Sequence, residues 1–157
     1  MNIKTGLAAF AMFTLAGGYA YAFDGGDATK GESVFKKCQS CHMVGEGAKN
    51  KVGPVLNDLI GRQAGTFEDY KYGASIVAAG EAGLVWTEEE IFAYLEDPRK
   101  YLRAKLDDKK AKSKMSFKLK KEEDRKHVIA YLKTFSPDAG SGEAESESSE
   151  ESTTQTN

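Results

Sequence analysis

Six consecutive residues, Lys37-Cys38-Gln39-Ser40-Cys41-His42, constrain this chain more than any other stretch. The two cysteines are the only ones among 157 residues; they stand three apart, and a histidine follows the second. The spacing C-x-x-C-H is the attachment signature of a c-type haem. On a helix, positions i, i+3 and i+4 share a face, so two thiols and one imidazole would meet the same flat ring. Cys38 and Cys41 are then expected to hold haem c as thioethers, with His42 on the iron. A disulfide between the cysteines would leave the adjacent histidine without a role. A zinc ribbon needs four ligands, and there is no second cysteine pair.

Haem of this type is attached outside the cytoplasm, and the N-terminal residues read as an export signal. Lys4 supplies the positive start, Gly6 to Ala16 is apolar, and Ala20-Tyr21-Ala22 has the form of a cleavage site. Cleavage is expected after Ala22, with the protein in the periplasm. The competing reading is a retained membrane anchor, but the uncharged run of residues 5–23 is barely long enough and contains Gly17 and Gly18. At the other end, residues 139–157 hold five glutamates, no lysine or arginine, and only two apolar residues, both alanine. Such a segment cannot bury enough surface to offset its ordering entropy and is expected to be disordered. Residues 23–138 remain as one domain, small enough that a buried haem would supply much of its apolar core.

Within that domain the periodicity is helical. A first helix is expected from Asp27 to the haem motif, with Gly31, Phe35 and Cys38 on one stripe. Residues 44–66 are glycine-rich and read as loop, with one helical turn over residues 55–60 and a Gly53-Pro54 turn whose carbonyl could accept a hydrogen bond from His42. Thr87-Glu88-Glu89-Glu90 has the form of a capping box ahead of Ile91, Tyr94 and Leu95, and Asp97-Pro98 is expected to end that helix. A last helix from about Glu122 carries Val128, Tyr131, Leu132 and Phe135 on one face. No run alternates as a strand. The expectation is an all-α domain of three main helices, short helical turns and long loops wrapped around one haem.

The second axial position separates an electron carrier from a reactive haem. Met43 adjoins His42 and cannot reach the opposite face, and Met1 and Met12 lie in the signal, which leaves Met115 and His127. Met115 lies in a loop far enough along the chain to wrap the haem, whereas His127 flanks a regular helix face. Met115 is the expected ligand. A methionine there raises the potential and occupies the site oxygen would need. The alternative class is a haem enzyme or ligand sensor with that site open.

The order of these features resembles class I c-type cytochromes of the bacterial cytochrome c2 type, in the long form close to cytochrome c550. The resemblance runs over residues 27–135: Gly31 and Phe35, then CQSCH, Gly53-Pro54, Gly61-Arg62, Trp86, Tyr94, Pro98, Lys114-Met115 and Tyr131. It implies that Arg62, Tyr72 and Trp86 line the haem propionates, that Tyr94 and Ser113 sit near the Met115 sulfur, and that Phe117 covers the haem edge. It further implies that Gly31 and Phe35 pack on Tyr131. Residues 103–112 lengthen the loop before Met115 relative to the short mitochondrial form. The function implied is electron transport rather than catalysis, by a monomer moving between a quinol-oxidising complex (quinol-cytochrome c oxidoreductase) and a terminal oxidase, photosynthetic reaction centre or reductase.

Net charge is −2, but its distribution is uneven. Residues 99–133 hold fourteen Lys or Arg against five acids, while residues 66–98 hold one lysine against eight. A basic surface near Met115 would steer the molecule onto acidic patches of redox proteins in a salt-dependent way. Nucleic acid is an unsuitable partner for an exported haem protein, and the membrane is expected to be met only through partner complexes.

Overall fold

The computed structural model describes residues 25–136; the expected signal and acidic tail lie outside them. Five helices follow in order: α1 (Ala28–Phe35), α2 (Ala74–Glu81), α3 (Glu88–Glu96), α4 (Pro98–Lys105) and α5 (Glu122–Lys133). Among the described residues the only β pairing is an isolated antiparallel bridge between Gln63 and Val85. The class is all-α, as expected.

Two helices go beyond the three read from periodicity. Pro98 does end α3, but it also opens α4, because its fixed φ suits a first helical position where no N–H is needed. Asp97 serves both helices, closing α3 and accepting the Lys100 N–H at 3.0 Å. Arg103, Ala104 and Lys105, expected in a loop, form the last turn of α4. Helix α2 has a glycine at its N-cap and no capping side chain. Packing marks it instead: Gln63 Nε2 donates to the Gly80 carbonyl at 2.8 Å, and Gly80 lies against the Ala64 carbonyl. The helical turn expected over residues 55–60 is absent. That stretch makes tight turns, with Asp58 at φ 51° and its N–H bonded to the Phe135 carbonyl at 2.8 Å.

Half of the capping box forms. Thr87 Oγ1 accepts the Glu90 N–H at 3.2 Å, but the Thr87 N–H goes to the Val85 carbonyl. The Glu90 carboxylate turns to α4, where it accepts from the Tyr101 hydroxyl at 2.5 Å and from Lys105. Burial alone would raise the Glu90 carboxyl, yet these two donors hold it below the ordinary range.

The core begins where α1 crosses α5. A Cβ on Gly31 would lie 2.0 Å from the His127 carbonyl oxygen, so only glycine lets the backbones approach this closely. Phe35 packs on Tyr131 with ring centroids 5.4 Å apart, as the resemblance implied. From α5, Arg125 is buried over the Phe92 ring at 4.2 Å and donates to the carbonyls of Leu119 and Lys120 at 2.9 and 2.8 Å. Leu119 in turn donates to the Leu95 carbonyl at 2.8 Å. The segment after Met115 is thereby pinned between α3 and α5.

Gly31→Ala is expected to cost about 1–3 kcal/mol through overpacking at the crossing, read as a lowered denaturant midpoint at unchanged slope. The bond from Lys118, at 2.6 Å, together with the Lys100 N–H holds Asp97 at about 2 against an ordinary 3.8. Its stabilising contribution is therefore complete above pH about 4 and is lost as pH falls toward 2. Asp97→Asn keeps a cap acceptor and loses the ion pair, so urea midpoints of this variant should fall less steeply than wild type between pH 4 and 2.

Candidate functional site

At the centre of the domain lies a cavity of about 380 Å³ with mainly apolar walls. Phe35 of α1, Ile91 and Leu95 of α3, Leu102 of α4, and Val128 and Leu132 of α5 all face it. These walls are shaped for a large apolar occupant.

The C-x-x-C-H motif forms one wall. Regular helix ends at Phe35, earlier than expected, and the chain continues in successive turns: Cys38 N–H to the Phe35 carbonyl at 2.7 Å, Cys41 N–H to Cys38 at 3.0 Å, His42 N–H to Cys38 at 2.9 Å. These turns keep the i, i+3 and i+4 geometry, so both sulfurs and the imidazole line the same space. The two cysteines are not joined in a disulfide, so both sulfurs stay available to an occupant of the cavity. His42 Nδ1 lies 2.7 Å from the Pro54 carbonyl. A carbonyl only accepts, so the proton sits on Nδ1 and Nε2 keeps its lone pair for a metal. Burial lowers the His42 pKa, which favours the same neutral form. Gly53 makes this fit: a Cβ there would stand 2.3 Å from the imidazole Cε1.

Met115 and Phe117 line the same cavity, delivered by the segment that Arg125 pins. Tyr94 and Ser113 line it too, their hydroxyls 3.2 Å apart, and burial raises the Tyr94 phenol. Trp86 packs edge-on to Tyr94 at 5.0 Å and stacks on Tyr101 at 6.4 Å. His127 is not among the lining residues; its Nδ1 accepts the Asp27 N–H at 3.0 Å, at the start of α1.

One corner is polar. Arg62 donates to the carbonyls of Asn57 and Val55 at 2.9 and 3.3 Å and lies over the Phe67 ring at 4.6 Å. Burial lowers its pKa, opposed by nearby Tyr72 and Asp58, and the Tyr72 phenol is itself raised by burial. Among the described residues no carboxylate comes within ion-pair distance of Arg62. A half-buried guanidinium of this kind suits an anionic group on the occupant. Every pocket residue expected from sequence therefore meets at one cavity. Tyr70, Ile76 and Leu102 were missed: Ile76 and Leu102 ride on the two unread helices, and Tyr70 enters through its bond to the Val52 carbonyl at 2.6 Å.

An apolar slot, two thiols and an imidazole on one wall, a thioether on another and a cationic corner together fit a haem with its two carboxylates. The cytochrome c family model matches residues 28–136. The chain is 55% identical over 117 residues to cytochrome c2 iso-1 of Rhodospirillum centenum, covering 71% of this chain and 98% of that relative. It is 46% identical over 138 residues to cytochrome c2 of Rhodobacter capsulatus, covering 84% and 96%. The solved structure of cytochrome c2 from Rhodospirillum centenum superposes with a TM-score of 0.69, over 71% of this chain and all of that one. Cavity, motif and relatives agree: this chain belongs to the cytochrome c family, all-α electron carriers with covalently attached haem c.

Proposed function

We propose that the chain is a soluble periplasmic one-electron carrier, with Cys38 and Cys41 as the thioether anchors and His42 and Met115 as the axial ligands. The observation that carries this reading is that these four side chains line one cavity. When bound, the haem supplies a one-electron iron couple at low spin. The chain supplies the rest. Pro54 orients His42 through Nδ1, and Met115 fills the position oxygen would need. Arg62, with Tyr72 and Trp86 also lining the cavity, would hold the propionates away from bulk water. Tyr94 and Ser113 place a hydroxyl pair beside Met115. Since these contacts are made in advance, a change in iron charge requires little rearrangement.

Phe117 and Val52, exposed at 38% and 76%, line the cavity, and so do Lys112 and Lys114. That combination suits brief docking on acidic patches of a quinol-oxidising complex and of a terminal oxidase, photosynthetic reaction centre or reductase. Residues 1–22 support export, and among the described residues no helix is long and apolar enough to cross a membrane.

Met115→Ala is expected to keep its haem, to bind carbon monoxide when reduced at neutral pH, and to lose on the order of 0.1 V or more in midpoint potential. The unaltered chain should show no carbon monoxide shift. If His127→Ala opened the iron and Met115→Ala did not, the ligand assignment would be overturned.

A further inference from the structure

The positive charge of residues 99–133 is balanced in one half and unbalanced in the other. From Lys118 onward each exposed lysine has a carboxylate partner: Lys118 with Asp97, Lys120 with Glu96, Lys121 with Glu123 and Asp124, Lys126 with Glu122, and Lys133 with Glu88. Between residues 99 and 114 Lys105 alone is paired among the described residues, with Glu90. Arg99, Lys100, Arg103, Lys109, Lys110, Lys112 and Lys114 have no carboxylate partner among the described residues. Arg99, Lys100 and Arg103 also line a second, polar cavity of about 390 Å³ between the start of α4 and Met115-Ser116. Its one acid, Asp97, is already engaged by Lys100 N–H and Lys118.

We propose that this patch is the docking surface for the chain's own acidic segment, residues 143–151. That segment holds Glu143, Glu145, Glu147, Glu150 and Glu151 and no cation, the complement of the patch. It begins seven residues and ends fifteen residues after Ser136, the last described residue. Extended chain of those lengths reaches about 24 to 50 Å, against a width of about 35 Å for a domain of this size. A tether this short keeps the segment at millimolar effective concentration, so individually weak, screened pairs suffice. The docked segment occupies cations beside Met115-Ser116 and competes with acidic redox partners at low ionic strength. That consequence rests on the carrier reading; the contact itself does not.

Zero-length carbodiimide coupling of the dilute, haem-loaded full chain tests the contact without any electron transfer. Monomeric products should join Glu143–Glu151 to Lys100, Lys109, Lys110, Lys112 and Lys114 at least threefold more often than to the paired lysines at 118–133, and 0.5 M salt should abolish the bias. Links spread evenly over all exposed lysines, or formed only between chains, would overturn the proposal. Oxidation of the ferrous chain by hexacyanoferrate(III) provides the second readout. Changing all five glutamates to glutamine should speed it severalfold at low salt, and much less in a chain already carrying Lys109→Gln, Lys110→Gln and Lys112→Gln. Equal acceleration in both backgrounds would mean that the segment acts only through its overall charge, and would also overturn the contact.

Discussion

The apolar hollow at the centre of the domain is the constraint on which the other features depend. Residues from all five helices, which would close a core in an ordinary domain of this length, stand around a space of about 380 Å³ instead. The helices are short, eight to twelve residues, and helices of that length draw their stability from packing rather than from propensity. Attachment through Cys38 and Cys41, as proposed, would make the haem a permanent part of that packing, so that stability and electron transfer would share the same contacts. This is why the α1–α5 crossing, with Gly31 against the His127 carbonyl, needs such close approach: it is the largest protein-only contact available to the fold.

The haem walls are held by polar contacts one layer further out. Pro54 sets the His42 tautomer from one side, and Gly53 leaves room for the ring. On the other side Arg125 spends its guanidinium on two backbone carbonyls and an aromatic face, although its Nε has no hydrogen-bond partner. The result is a fixed path for residues 115–120. Glu90, Tyr101 and Lys105 tie α3 to α4 and so hold Trp86 and Tyr94 at the cavity edge. Each contact is modest singly, but together they hold a loop methionine and a motif histidine, more than seventy residues apart, at the same cavity.

Charge is arranged with similar economy. Asp97 and the acids of α3 and α5 neutralise the lysines from Lys118 onward, where paired side chains stitch helices together, as Lys133 with Glu88 does. Residues 99–114 carry the surplus, and two of these cations, Lys112 and Lys114, line the central cavity, where an attractive field serves encounter rather than stability. An anionic segment in the same chain is a means of regulating that field.

Much of this was legible in the residues alone. C-x-x-C-H dictated the cofactor, elimination among four methionines and two histidines singled out Met115, which the structure places in the cavity wall, and 3.6-residue periodicity with N-terminal caps marked α1, α3 and α5. Those features are local, and chemistry or backbone geometry restricts them to few outcomes. Helix α2 was hidden because its apolar, uncapped sequence has no contrasting face, and α4 because a proline that ends one helix can also begin the next. The second role of Glu90, the burial of Arg125 and the separation of paired from unpaired lysines depend on which residues distant in sequence become neighbours. Only the tertiary structure decided these, because a side chain's hydrogen-bond and ion-pair partners are set by packing rather than by its position in the chain.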